Sequence, residues 1–367
     1  MGIKSDVLII GGGPAGLSAA LMLSKKGISY TIVEKNDYFG SKLNEYDITE
    51  GIRINEILKY LNVKPNKISK KSEWFSLKNS SILKSKIGDF YFIRGANKDS
   101  IENKLLKNID TNNLNVYYHS TIDSFKIRDN KIENVIINNK NEKIQINPKY
   151  IIIADGGKTD YKKNMIIKKK YFAQFNGFGV VIKTKEENII PDARIYFDKN
   201  IFPGGYLYSG SIENNAFFCI VYDNIFELKI NLQEYLIKFV NKIVKDSYLV
   251  NNYFSGFGIS GIKESLLNNM MLIGGAAHFH DPFFGYGINY AIESAYFSSK
   301  SIYENDQTIY SKYVEKIHKE FNKRYIARRI FRKKNNEFYS KLIKSLNNES
   351  SPDDMQIYEI LKIFEEE

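Results

Sequence analysis

DVLIIGGGPAGLSAALMLSKKGISYTIVEK, residues 6–35, divides into an apolar run, a glycine turn, a helical stretch, a short turn and a second apolar run. That order is strand, helix, strand, the unit from which parallel α/β sheets are wound. Gly11, Gly13 and Gly16 occupy the GxGxxG positions. The first permits a tight turn, the second lets backbone approach a pyrophosphate, and the third lets helix pack on strand. The residues that follow, Pro14 and Ala15 onward, open a helix whose free amides after the proline and positive dipole end face phosphate. Leu17, Ala20, Leu21 and Leu23 give that helix an apolar face, and Gly27 ends it. Glu34 closes the second strand, where a carboxylate accepts both hydroxyls of an adenosine ribose and disfavours a 2′-phosphate; Lys35 follows it. The expected ligand is a dinucleotide, FAD or NAD.

The 367 residues suit two lobes and a large core. Hydrophobic residues make up 43% and charged ones 26%, and no apolar run approaches the roughly 20 residues of a membrane-spanning helix. The N-terminus enters a strand pattern within about five residues, too soon for a signal peptide, so a cytoplasmic protein is expected. Cys219 is the single cysteine and lies in the apolar run AFFCIVY, which predicts a buried structural thiol and excludes an intrachain disulfide or a cysteine-based metal site. A net charge of +11 suits an acidic partner or an anionic surface. With no recognition motif beside the charge, nucleic acid is not an expected partner.

Two later segments extend the first motif. YIIIADGGK, residues 150–158, is an apolar strand ending in a small-acid-glycine turn, and GGAAHFHDPFFGYGIN, residues 274–289, follows the apolar strand NNMMLIGG. GGGPAG, ADGG and GGAAHxxDPxxGxGxN in that order resemble the glutathione-reductase-type FAD superfamily, within it the branch of aromatic hydroxylases and geranylgeranyl reductases. The resemblance implies FAD. It places Ala154, Asp155 and Gly156 of the middle turn, and Gly275, Asp281, Gly285, Gly287, Ile288 and Asn289 of the late one, beside the cofactor. Arg94, before a helical pattern, matches a family arginine near the FAD phosphates or ribityl chain. Family members usually carry Gly-Asp where this chain has Gly274-Gly275, and that acid accepts a ribityl hydroxyl, so weaker FAD binding is expected.

The implied fold is α/β: a Rossmann-type FAD-binding domain from residues 1–72, 93–168 and 263–305, interleaved with an antiparallel β-sheet substrate domain from 73–92 and 169–262. A helical segment, 306–367, follows. RIYFDKNIFPGGYLY, residues 194–208, is similar to the geranylgeranyl-reductase pattern at Pro203, Gly204, Gly205 and Tyr206, with Tyr208 at the next same-face position, where tyrosines can wall an apolar chain. The activity this implies is reduction of isoprenoid double bonds in a lipid or lipid precursor: reduced flavin gives hydride to one alkene carbon and a proton reaches the other. Candidate proton-handling groups are His278 and His280, together with Glu45 and Tyr46, which stand near the place where family reductases carry a cysteine. Two histidines at that spacing, without further ligands, are not a metal site, and none is expected. Two alternatives remain open: an aromatic or polyketide monooxygenase using NAD(P)H and oxygen, and a non-catalytic flavin- or lipid-binding protein.

No second dinucleotide fingerprint is visible, which leaves the electron donor between NAD(P)H and a reduced carrier such as ferredoxin. From Tyr310 to Lys344 the pattern is helical, with Tyr313, Ile317 and Phe321 four apart among many lysines and arginines. Such a helix can pack on the FAD domain, meet anionic lipid at the inner face of the membrane as a peripheral protein, or meet an acidic electron carrier.

Overall fold

The structure is a computed structural model that describes residues 3–41, 44–110, 114–157, 167–185, 189–202, 205–223, 231–245 and 247–346. Pro203, Gly204 and the chain beyond residue 346, for which expectations were stated, lie outside the described residues.

The opening motif forms as its sequence predicts: β1 (Ile3–Ile10), α1 (Pro14–Lys25) and β2 (Tyr30–Val33). Then come β3 (Asn44–Glu50), α2 (Asn55–Leu61), β4 (Lys67–Phe75), β5 (Ser80–Gly95) and α3 (Ile101–Lys107). β6 (Asn115–Tyr117), β7 (Ser120–Arg128), β8 (Lys131–Asn139) and β9 (Glu142–Ile153) precede a long run of β10 (Ile167–Lys183), β11 (Ala193–Tyr196), β12 (Tyr206–Ile212) and β13 (Asn215–Asp223). The chain continues through α4 (Leu232–Ile243), β14 (Leu249–Ser265) and β15 (Met270–Leu272), then α5 (Ile288–Tyr303), α6 (Thr308–Lys333) and α7 (Asn336–Ser345).

Two sheets result. The first is seven-stranded in the order β6-β2-β1-β9-β8-β7, with β15 pairing the C-terminal end of β9. Its parallel strands β6, β2, β1, β9 and β15 read as near-continuous apolar runs because helices cover them, and Val7, Leu8, Ile9, Ile32, Ile151 and Ile152 have no exposed surface. The second is eight-stranded in the order β14-β10-β13-β12-β11-β4-β5-β3. It is antiparallel, as expected, except for the single parallel pair β11–β4.

The expected bounds give residues 1–72 to the FAD-binding domain. β3 and all of β4 belong to the second sheet, which therefore begins at residue 44. The reason is visible in Asn44–Glu50: Tyr46 and Ile48 are buried on one face while the charged Glu45 and Asp47 occupy the other, the period of a strand with two different surroundings. α6 lies across both sheets, and Phe321, with no exposed surface, packs on Phe172, Phe279 and Tyr290.

Candidate active site

At the first turn, bare backbone is a steric necessity. A Cβ on Gly16 would stand 1.9 Å from the carbonyl oxygen of Gly11, and one on Gly11, where φ is +102°, would stand 2.6 Å from that of Ala154. These contacts join α1, β1 and the end of β9. Gly13 is different: as N-cap of α1 it has no protein atom within 4 Å of where its Cβ would stand, and no side chain caps the helix. The first amides of α1, with Pro14 and Ala15 buried behind them, therefore face open space. Gly156, with φ of +85°, is equally unobstructed on the facing turn, beside buried Ala154 and half-buried Asp155. Glu34 is 7% exposed. Its Oε2 accepts the Gly12 N–H at 2.8 Å and its Oε1 accepts the backbone and side-chain N–H groups of Asn36 at 2.9 and 2.8 Å. A carboxylate has about four acceptor positions, so one remains for a ribose hydroxyl. Lys35 points into solvent.

The late segment forms a 3-10 turn, Gly274–Ala277, then a second turn, then α5. A Cβ on Gly275 would stand 3.3 Å from the backbone of Gly156 and Gly157. The middle and late turns thus abut closely at Gly275. Gly285 has φ of +77°, and Gly287 is the N-cap of α5 with no side-chain cap. Ile288 opens the helix. Asn289 has no exposed surface; its Oδ1 accepts the Tyr290 N–H at 2.9 Å, while its Nδ2 has no hydrogen-bond partner. An unmet buried amide costs roughly 1–3 kcal/mol, so this group is placed to donate to a ligand.

Asp281, expected to touch the cofactor, is instead the organiser of its turn. It has no exposed surface, and its Oδ1 accepts the N–H groups of Phe283 and Phe284 at 2.8 and 2.6 Å. Its Oδ2 receives Arg324 of α6 and lies 3.4 Å from the Tyr290 hydroxyl. A carboxylate engaged on both oxygens serves the loop, not a ligand.

β3 supplies a wall. Glu45 stands directly across from Arg94 of β5, with Asp47 next on the same face. Arg94 is held internally, its Nε on Glu102 at 2.8 Å and its Nη1 on Asp47 at 3.3 Å, so its guanidinium braces the carboxylates rather than extending to a phosphate. Burial, and then the neighbouring Asp47, push the Glu45 carboxyl up to about 7. Burial likewise raises Asp47. Tyr46 points the other way, into an apolar cluster with Ile48, Tyr91, Ile93 and Phe217; it is a core residue, because strand alternation turns it from the face that carries Glu45.

The histidines separate too. His278 adopts a left-handed backbone, φ +63°, and its carbonyl accepts the Gly261 N–H at 2.9 Å, a role in chain direction. The His280 ring lies between Gly258 of β14 and Gly287: a Cβ on either glycine would meet it within 2.8 Å. Its Nδ1 donates to the Ile259 carbonyl at 3.0 Å, leaving Nε2 as an acceptor. Burial lowers it to about 4, so it is neutral at pH 7 and cannot serve there as a proton donor. Tyr206 is 3% exposed and donates its hydroxyl to the Phe284 carbonyl, which makes it a strut of the late turn rather than a substrate wall. Tyr208 is half-buried, 6.3 Å from Tyr206, and faces Cys219 in register. A Cβ on Gly205 would stand 2.1 Å from the Val221 carbonyl, so this glycine serves strand packing. Cys219 is buried, as its apolar run predicts. Among the described residues no cluster of His, Cys, Asp and Glu could hold a metal ion.

Sequence reasoning missed Arg324, Arg328 and Arg332. The four-residue spacing was the signal: Arg324, Arg328 and Arg332 share one face of the helix and turn inward to carbonyl and carboxylate, whereas Arg329, off that face, is exposed.

The open amides of α1, the acceptor at Glu34 and the unpaired Asn289 amide fit the two ends of FAD. Residues 4–41 match the family model described as an FAD binding domain. Over most of its length the chain is similar to digeranylgeranylglycerophospholipid reductases. With that of Methanosarcina mazei it shares 26% identity over 82% of this chain and 75% of the relative. With that of Thermoplasma volcanium it shares 25%, over 90% and 87%. Among solved structures, a geranylgeranyl bacteriochlorophyll reductase-like protein from Thermoplasma acidophilum superposes with a TM-score of 0.80 at 20% identity, covering 100% of this chain and 97% of the other, and so shares the fold.

Proposed function

We propose that this FAD-dependent oxidoreductase, similar through most of its length to the geranylgeranyl-reductase-like flavoproteins, saturates isoprenoid carbon–carbon double bonds of a lipid or lipid precursor. The observation that carries the proposal is the extent of that similarity: it runs through both sheets, over 82% of the chain, and is not confined to the nucleotide motif. The partly exposed side chains where the sheets meet are in keeping with an apolar substrate. Tyr208, Phe254 and Tyr286 are aromatic, and the neighbouring strands β10 and β14 offer bare backbone at Gly177 and Gly256.

Bound FAD, when reduced, supplies hydride to one alkene carbon. The rest falls to the chain. Aromatic side chains orient the isoprenoid and keep water away. Glu45, its carboxyl held near neutrality by burial, gives its proton to the second alkene carbon and regains one from solvent. For a lipid substrate, the outward side of α6, with Lys312, Lys316, Lys319 and Lys323 exposed, suits peripheral contact with an anionic bilayer. Among the described residues no helix is long and apolar enough to cross a membrane. Electrons come from NAD(P)H or from a reduced carrier protein such as ferredoxin.

The test is anaerobic. Dithionite-reduced protein is mixed with a geranylgeranyl-bearing glycerophospholipid, and the product mass is followed for the gain of two hydrogens per double bond. Flavin that stays reduced, with the lipid unchanged, rejects the proposal. Incorporation of labelled oxygen into an aromatic substrate with NADPH would establish a monooxygenase instead.

A further inference from the structure

We propose that Arg324, on the C-terminal helix α6, is a positioning residue that fixes the flavin-side turn Asp281–Gly287 against strand β3. The inference rests on the placement of the flavin end of FAD at the start of α5.

The turn is built around one carboxylate. Asp281 holds Phe283 and Phe284 through Oδ1, its N–H donates to the Tyr286 carbonyl at 2.8 Å, and its carbonyl accepts the Gly285 N–H at 2.8 Å. The position of Asp281 therefore sets the position of Gly285 and Gly287, the residues that lead into α5. Arg324 holds the remaining oxygen of Asp281 through Nη1, and the same Nη1 lies 3.3 Å from Glu50 Oε1, while Nε lies 3.2 Å from Glu320. Glu50 is the last residue of β3, the strand that carries Glu45. One guanidinium thus ties the turn that leads into the cofactor helix to the strand that carries the candidate acid.

The surroundings make this tie rigid. Arg53 lies over the Tyr290 ring at 4.5 Å and bridges Glu293 and Glu320 at 2.8 and 2.7 Å. The Tyr290 hydroxyl in turn donates to Glu320 at 3.0 Å. One turn further along α6, Arg328 donates to the Phe283 carbonyl at 2.6 Å, a second bond from the helix to the turn. A lysine at 324 would keep the charge, but a single ammonium lacks the planar fork that spans separate carboxylates.

Arg324→Lys, Arg324→Met and Glu50→Gln test the proposal, with FAD dissociation constant, flavin absorption spectrum and midpoint potential as readouts beside turnover. Arg324→Lys is expected to fold with FAD bound about tenfold more weakly, the loss of one charge-assisted hydrogen bond, with a shifted flavin spectrum. Its kcat falls while KM stays near that of the parent. Glu50→Gln shifts the spectrum in the same direction with a smaller loss. Arg324→Met leaves Asp281 buried without its cation and shows the largest loss of FAD, or does not fold. An unaltered flavin spectrum, potential and FAD affinity in both Arg324→Lys and Glu50→Gln overturns the proposal, whatever Arg324→Met does. These flavin readouts do not need lipid reduction. A parent protein that binds FAD but leaves every isoprenoid untouched would therefore sink the proposed function and leave the positioning role to be judged on the spectra.

Discussion

Replacing Glu45 with glutamine keeps the side chain's shape and removes the proton it can give. The carboxyl faces Arg94, but that guanidinium is already engaged by Glu102 and Asp47. Burial and the Asp47 charge therefore prevail, and the group titrates at about 7 instead of in the usual carboxylate range. With that midpoint, Glu45 is protonated in roughly nine molecules of ten at pH 6 and roughly one in ten at pH 8. If it supplies the alkene proton, the single-turnover rate should fall roughly tenfold between those values, with the protonated form the active one. Glu45→Gln should lose roughly two to four orders of magnitude, retain its FAD, and show no fall across this range. Stability falls with rising pH as well. A carboxyl whose folded pKa is raised contributes fully below its unfolded pKa, and that contribution is lost as pH rises through the folded value near 7. The glutamine variant should accordingly be the more stable protein at pH 8 and gain nothing at pH 4. The assay is anaerobic stopped flow of the reduced protein with the isoprenoid lipid, following flavin reoxidation from pH 5.5 to 8.5. A Glu45→Gln variant that keeps both the rate and the pH dependence refutes the role of Glu45.

Other outcomes follow from packing. Gly13→Trp meets no protein atom near its Cβ, so the variant should fold and elute without flavin; unchanged flavin content by absorbance would disprove a pyrophosphate contact there. Phe321→Ala removes a ring with no exposed surface at the contact between α6 and the sheets, and urea denaturation should show a loss of about 3–5 kcal/mol. Charge reversal at Lys319 and Lys323, both exposed on α6, should weaken sedimentation with phosphatidylglycerol vesicles and leave dithionite-driven turnover of detergent-dispersed lipid intact.

Local chemistry made part of this molecule legible. The dinucleotide unit was readable because strand, glycines, helix and terminal acid lie within one stretch of chain, although Gly11 answers to Ala154 of the later β9 turn. β3 was harder. Its alternation of Tyr46 and Ile48 with Glu45 and Asp47 was in the sequence, but a charged face toward the protein interior resembles a solvent face until the partner Arg94 is brought across by β5. Asp281 was legible in its motif but its place in the turn was not, because its partner Arg324 is 43 residues away. The charge of α6 was read as outward. Its lysines are, whereas Arg324, Arg328 and Arg332 reach inward to Asp281, the Phe283 carbonyl and Asp223. Periodicity specifies which residues share a face, and tertiary contact decides which face is buried.

The interleaving of the two sheets also governs how the chain can be made. β9 is edged by β15, and β4 takes its parallel neighbour from β11, more than a hundred residues later. Neither sheet closes until roughly three quarters of the polypeptide has left the ribosome, and loop closure over such spans is slow. The first sheet must therefore wait with the apolar end of β9 uncovered until β15 is made, a state prone to association and suited to chaperone holding. The same arrangement denies the protein to dissection: a cut between the nominal domains leaves each fragment short of strands that only the other can supply.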